Sequence, residues 1–428
     1  MFKQRIISIL KNKQNTNLIV YGFGQGFNLI TPLLVVPYIV SVCGVENFGK
    51  ASIAMAISFF MMVFIDYGSD IIGVKEAAVN RQNAVELEKI FITTLSSKAV
   101  LLVLVLLFSI LLIYFVPFFN KDKSLYLLGL PVLVGQCINP TWFLQGVENF
   151  KWITILTITS KLIYLFGIFF FIHQKTDYIF INLWWGIGTI LANGITLYSI
   201  FRKHNFSFLK IKGGNVIALL KGNFSMFFSQ IFVSLQMYSP IMLIGFFGNN
   251  LLAGHYKIVE QIIVVFKTYI YLFFNFLYPR VCYLLEKNSK QGFRFWKIYN
   301  GINFIFIAIS MVVVYLFSFQ AVHYFAKTDV FEISNLLKLA VLIPITLSIS
   351  IPLKQLLLGF NQQQLYIRIT MIMVVVNLLL MIVLLPQYGI TGVLSSLIIS
   401  ELITIGAYYF SIKSKYNGIN IRKLNYIL

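Results

Sequence analysis

Five lysines and two glutamates stand inside apolar runs long enough to cross a lipid bilayer: Lys161, Lys257, Lys267, Lys338 and Lys354, with Glu260 and Glu401. A charge placed centrally in such a run costs about 2.5 to 3.5 kcal/mol on insertion scales, so each needs a partner, a wet cavity or a short route to the surface. Lys161 is the sharpest case. It lies about 14 Å by helical rise from the start of its run, near the middle of a ~30 Å core, where snorkelling is difficult. It fits contact with an anionic group; the bland alternative is a buried ion pair. Lys257, Glu260, Gln261 and Lys267 fall within roughly 120° of one helical face at about 100° per residue. That face can line a path, and the i,i+3 spacing also lets Lys257 and Glu260 neutralise each other.

Lys354 and Gln355 adjoin Pro352, where a helix break is expected to free carbonyls toward a cavity. Lys338 and Arg368 are close enough to span ends to snorkel. Among the acids, Glu260 and Glu401 are the candidates to bind a coupling ion, whereas Asp66 and Asp70, i,i+4 near a span end, read rather as a cap or loop contact. Gln25, Asn28, Asn139 and Gln145 can recognise hydroxyl-rich ligands or bond helix to helix, the commoner use.

The elements that position these residues follow from composition. With 59% hydrophobic and 11% charged residues and a mean hydropathy of +0.84, the chain lies far from soluble domains, whose charged fraction is nearer ~25%. The expectation is an all-α polytopic membrane protein, because the apolar runs are continuous and about twice the length of barrel strands. The net charge of +20 would fit nucleic acid only if it were clustered on a soluble face, and no nucleic-acid partner is expected. Cys43, Cys137 and Cys282 have neither metal nor disulfide spacing. No GxxxxGK[ST], HExxH or nucleophile triad occurs, so neither cofactor nor enzyme chemistry is expected, and an ATP-driven pump is disfavoured. The basic N-terminal segment is too short in its apolar part for a signal peptide and is expected to stay on the cytoplasmic surface.

Twelve spans are predicted. Six lie near Asn17 to Val42, Ala51 to Gly73, Ala99 to Phe118, Leu125 to Gly146, Trp152 to Ile172 and Phe180 to Phe201. Six more lie near Phe224 to Phe246, Leu251 to Leu277, Tyr299 to Phe319, Ile333 to Leu358, Leu365 to Leu385 and Ile390 to Ile412. Between the sets, residues 202–223 carry Arg202, Lys203, Lys210, Lys212 and Lys221 with no acid, which reads as a cytoplasmic linker between a lobe of residues 1–201 and one of 224–428. With both termini inside, 24 of the 34 Lys and Arg residues fall in cytoplasmic segments and five in external loops, as the positive-inside rule requires. Gly44 and Gly49 have counterparts in Gly248 and Gly254, and Pro140 and Gly146 in Pro352 and Gly359. Two six-helix lobes in parallel repeat around a central cavity are expected, an architecture typical of transporters.

The runs PYIVSVCGVENFGKASIAMAISFFMMVFIDYG (Pro37 to Gly68), NPTWFLQGVENFKWITI (Asn139 to Ile155), the stretch from Gly254 to Arg280, and LLPQYGITGVLSSLIISE (Leu384 to Glu401) resemble the polysaccharide-repeat-unit flippases. These are the O-antigen and capsule type of the multidrug/oligosaccharidyl-lipid/polysaccharide exporter superfamily. The resemblance implies alternating access and movement of a polyprenyl-diphosphate-linked oligosaccharide to the outer leaflet of the bacterial cytoplasmic (inner) membrane. It also implies membrane lipids as partners and leaves room for other polysaccharide-assembly proteins. Where the family often carries an arginine after the second span, Lys75 stands here, and no role transfers to it. On this reading Lys161, Lys257, Lys267, Lys354, Gln25, Asn28, Asn139 and Gln145 line the substrate path, and Glu260 and Glu401 serve ion coupling. One rival is a cation-coupled multidrug exporter of the same superfamily, whose pocket should be dominated by acids. The other is a membrane-embedded polymerase, which should carry a long external loop with catalytic residues; no such loop is present.

Overall fold

The computed structural model describes residues 13–204, 206 and 213–415, and every regular element among them is helical. Packing divides the chain into Met1–Met242 and Leu243–Leu428.

The first unit begins with α1 (Lys13–Cys43), α2 (Val45–Asp66), α3 (Ser69–Val79) and α4 (Ala84–Phe115). A broken crossing follows: α5 (Pro117–Asn120), α6 (Lys123–Gly129), α7 (Pro131–Cys137) and α8 (Thr141–Gly146). Then come α9 (Phe150–Phe171), a 3-10 turn (Lys175–Phe180), α10 (Ile181–His204) and α11 (Gly213–Phe247), whose last residues belong to the second unit. The second unit continues with α12 (Asn250–Lys287), α13 (Ser289–Leu316), α14 (Ser318–Phe325), α15 (Val330–Ala340), α16 (Leu342–Gly359) and α17 (Gln363–Lys415).

Among the described residues eleven stretches are long and apolar enough to cross a membrane. The last of them, Gln363–Ser414, contains 52 residues, which would extend for roughly 78 Å as one rod, more than twice a ~30 Å core. It is two arms joined at Gly389, where φ 56° and ψ −137° lie in a region open essentially to glycine alone. Counted as arms, the stretches make twelve crossings. Large apolar side chains stay exposed along the spans, as with Val100, Val103, Leu104, Leu107 and Leu111 on α4; this helical stripe is tolerable only in lipid.

The two units repeat a local turn. After α8, Glu148 takes φ 57°, its N–H bonds Gln145 O at 3.0 Å and the N–H of Asn149 bonds Leu144 O at 2.8 Å. After α16, Asn361 takes φ 59°, its N–H bonds Leu358 O at 3.0 Å and the N–H of Gln362 bonds Leu357 O at 2.9 Å. Both are helix stops with paired bonds back to the last turn. They follow Gly146 and Gly359, the two glycines matched between the units in the sequence.

Several boundaries differ from the sequence expectation. The second span ends at Asp66 because Tyr67 (φ 46°) and Gly68 (φ 80°) are left-handed. The third starts at Ala84, so Lys98, counted above as a cytoplasmic loop residue, lies well inside a helix; Glu86, Glu88 and Lys89 in its first turns had masked that helix as polar. Residues 213–223 of the expected linker are helical, and Lys210 and Lys212 lie outside the described residues. Pro352 does not break α16: the helix runs through it, and its carbonyl accepts the Trp296 indole N–H at 3.0 Å.

Candidate functional site

In the first unit Lys161, halfway along α9, holds its ammonium 3.4 Å from the centroid of the Trp185 ring on α10. Among the described residues no carboxylate lies within ion-pair distance of it. The ring supplies quadrupole attraction in place of a counterion. Trp185 in turn meets Tyr164 and Phe59, with centroids 5.1 and 5.6 Å away, and Phe59 meets Tyr238 at 5.8 Å. Phe59 and Tyr238 both line a cavity of about 240 Å3, together with Asp66, Asp70, Gln136, Gln230 and Ser234. One aromatic cluster thus connects Lys161 to a polar cavity walled by α2, α3, α7 and α11.

The acids of that cavity are organised by a residue the sequence reading had placed elsewhere. Lys98 is 1% exposed and donates to Asp66 at 2.8 Å, while the Gln136 amide donates to the other Asp66 oxygen at 2.6 Å. Asp66 and Asp70 are thus not merely a cap or loop contact. Asp66 ends α2, and Asp70 lies in the first turn of α3, where the helix dipole favours a carboxylate. Enclosure by the surrounding helices, then the Asp66 carboxylate, push the Asp70 carboxyl up to about 7, with Lys98 pulling it down. Its side chain also opens on the cavity, so water there weakens the first effect.

In the second unit Glu401 on α17 accepts a hydrogen bond from Ser350 on α16, and both Lys267 on α12 and Lys354 on α16 act on it electrostatically. The Lys354 ammonium also sits over the Tyr366 ring at 4.7 Å and the Phe274 ring at 5.4 Å. Lys257 and Glu260 form their own pair at 2.6 Å within α12. Lys267, further along α12, forms no ion pair among the described residues, and Glu401 feels its charge from beyond ion-pair distance. Gln355 is fully buried, takes a hydrogen bond from Asn300 at 3.2 Å and donates to Phe274 O at 3.5 Å, a helix-to-helix bond.

The remaining candidates are more local. Asn28 donates to Gln25 at 3.3 Å within α1. Asn139 donates to Gln136 at 3.2 Å and accepts from the Thr141 N–H and hydroxyl at 3.0 and 2.6 Å, holding the entry to α8. Gln145 is half-buried on α8. Sequence reasoning missed Lys98, Trp185, Gln136, Gln230, Ser234 and Ser350. Gln136, a lone amide in the run PVLVGQC, was the one with a visible signal. Among the described residues no group of His, Cys, Asp and Glu could hold a metal ion.

Known proteins agree with this architecture. The lipid II flippase MurJ, in an inward closed conformation, superposes with a TM-score of 0.75 over 92% of this chain and 87% of its own, at 17% identity. A multidrug resistance MATE family transporter of the MOP superfamily, inward-facing, superposes with a TM-score of 0.68 over 90% of this chain and 95% of its own, at 13% identity. These likenesses establish the fold. Two curated relatives bear the name "Putative O-antigen transporter". The one from Escherichia coli (strain K12) is 28% identical over 276 residues, 64% of this chain and 66% of that protein, so the match reaches just under two thirds of its length. The one from Shigella dysenteriae is 23% identical over 397 residues, 91% of this chain and 97% of that protein. The family model described as polysaccharide biosynthesis protein matches residues 15–284. With more than half of its length accounted for, this multi-pass membrane chain belongs to the polysaccharide biosynthesis protein family.

Proposed function

We propose that this chain carries a polyprenyl-diphosphate-linked oligosaccharide repeat unit from the cytoplasmic to the outer leaflet of the bacterial inner membrane, by alternating access, for O-antigen or another surface polysaccharide. Both termini lie in the cytoplasm on this reading. The names of the two curated relatives support it, as does the family. The observation that carries it is Lys161, a cation at mid-span held against an aromatic ring instead of a carboxylate. Such a cation remains available to a diphosphate. Gln230 and Ser234 around the adjoining cavity supply hydrogen-bonding groups suited to sugar hydroxyls. Outward movement of two negative charges across an inside-negative membrane is downhill by about 4.6 kcal/mol at 100 mV, so the loaded step needs no nucleotide.

A cation-coupled multidrug exporter finds one observation in its favour, the carboxylates of Asp66 and Asp70 at that cavity; Lys98 already neutralises the first. The experiment compares surface polysaccharide in cells whose own copy is deleted. Lys161→Ala should lose export while the protein stays in the membrane at normal level, and Lys161→Arg should keep part of it. Full export by Lys161→Ala would remove this residue from the path. Drug efflux without polysaccharide loss in the deletion strain would favour the exporter.

A further inference from the structure

A second cavity of the first unit, about 620 Å3, is separate from the Lys161 cluster and unused by the transport reading. It lies where the ends of α4, α8, α9 and α10 meet, on the side that the basic-residue bias assigns to the cytoplasm. Arg81, Lys151 and Lys203 line it, against a single carboxylate, Glu148. Arg81 is paired with Glu148 at 2.9 Å. Lys151 and Lys203 have no carboxylate partner among the described residues. The 22-residue helix α9 opens into the same cavity through Asn149, Lys151 and Trp152, and Asn149 gives it no side-chain cap. Its first N–H groups and dipole therefore add to the positive field.

The floor is different in kind. Phe143, Leu144 and Ile200 close the cavity with apolar surface, and Trp152, half-buried, stands at its edge as tryptophan does at membrane interfaces. From Lys151 an exposed apolar stripe, Ile155, Leu162, Phe166 and Phe170, continues along α9. The offsets of 4, 7, 4 and 4 residues keep the stripe on one side of the helix. From Lys151 to Phe170 the rise is roughly 28 Å, close to the ~30 Å core, of which the apolar stripe takes about 22 Å. Lys161 lies some 120° around the helix from Ile155 at about 100° per residue, so the stripe is not the face of the transport site.

We propose that this cavity is a binding site for an anionic phospholipid of the inner leaflet. The phosphodiester sits among Lys151, Lys203 and the α9 N-terminus, and an acyl chain lies along the stripe. A soluble phosphate satisfies the lysines but leaves the apolar floor and stripe without an occupant, whereas a zwitterionic lipid brings its own cation to a site already rich in them. Basic pockets between helix ends on the cytoplasmic side are the usual form of such sites.

The test uses full-length protein reconstituted in phosphatidylcholine vesicles containing increasing mole fractions of phosphatidylglycerol brominated in its acyl chains. Trp152 fluorescence is the reporter, taken as the quenching lost in Trp152→Phe. Brominated phosphatidylglycerol should quench it at lower mole fraction than brominated phosphatidylcholine. In Lys151→Gln and Lys203→Gln the half-quenching mole fraction should rise about fivefold for each lysine removed. Lys290→Gln/Lys297→Gln, two exposed lysines of α13, should leave the curve where it was. Equal quenching by the two lipids, an unchanged curve in the Lys151 and Lys203 variants, or an equal shift in the α13 control would overturn the proposal. Displacement of the brominated lipid by millimolar inorganic phosphate would overturn it too, in favour of a free-anion site.

Discussion

The ammonium of Lys98 and the carboxylate of Asp66 meet at 2.8 Å, tying the middle of α4 to the end of α2, and the lysine is 1% exposed. The pair neutralises two charges that neither helix could hold alone in lipid. The Gln136 amide on α7 saturates the remaining Asp66 oxygen, so three crossings of the first unit are bonded through one carboxylate. Burying such a pair is costly, and breaking it is costlier than never having had it.

Asp66→Asn or Lys98→Met alone should therefore lower stability by about 3 to 5 kcal/mol, because one buried charge loses its partner. The double variant Asp66→Leu/Lys98→Met should recover most of the loss. Thermal unfolding in detergent with a lipid-mimetic additive reads this directly; single variants that melt like the parent would mean the pair contributes nothing.

Asp70 should report pH. Its folded carboxyl is held up near about 7, above the ordinary ~3.9 of an unfolded aspartate. Stability arising from its protonated form is complete below the ordinary value and is lost as pH rises through the folded one. Asp70→Asn keeps a neutral side chain at every pH, so its melting advantage over the parent should be absent near pH 4, grow toward about 7 and stay level above. A constant difference across that range would show that Asp70 ionises normally.

Glu401 and Glu260 should separate in function. Glu401 lies under the influence of Lys267 and Lys354 and bonds Ser350, whereas the one ion pair of Glu260 among the described residues is with Lys257, three residues away on the same helix. Flipping measured in vesicles over a pH range should change its profile in Glu401→Gln. Glu260→Gln should shift the rate by a few-fold at most, as expected for a half-exposed i,i+3 pair. The reverse pattern would place ion coupling on Glu260 rather than Glu401.

Two glycines should be intolerant and one permissive. A Cβ at Gly146 would stand 2.6 Å from the Ala77 Cβ and 2.9 Å from Val74 O, so Gly146→Ala should cost about 1 to 3 kcal/mol by overpacking α8 against α3. Gly389→Ala meets open space, but its φ of 56° strains an alanine by about 1 to 3 kcal/mol. Gly194, mid-helix in α10 with nothing within 4 Å, should accept alanine with equal or higher melting temperature. A neutral Gly389→Ala would mean that the joint between the two arms of α17 can adopt another geometry.

Hydropathy by itself determined that the chain is helical, membrane-spanning and built of repeated crossings. Runs this apolar have no other stable state, and lipid requires their backbone bonds to close locally. Spacing alone was enough to pair Lys257 with Glu260, because that contact lies within one helix turn, and to mark Lys161, because no stretch near it in sequence offers a partner. What spacing could not decide is which helices lie side by side. Asp66 meets Lys98 and Gln136, Lys161 meets Trp185, and Glu401 meets Ser350 only through packing between segments 24 to 70 residues apart. Even the depth of Lys98 depended on it: the polar first turns of α4 read as a loop until their packing against Trp142 and Phe143 made them the base of a buried helix. The joint at Gly389 was legible, since the spans expected near Leu365 to Leu385 and Ile390 to Ile412 part at the PQYG between them. Pro352 misled because α16 runs through it, packed against a helix whose Trp296 indole bonds the Pro352 carbonyl, a neighbour that only tertiary packing supplies.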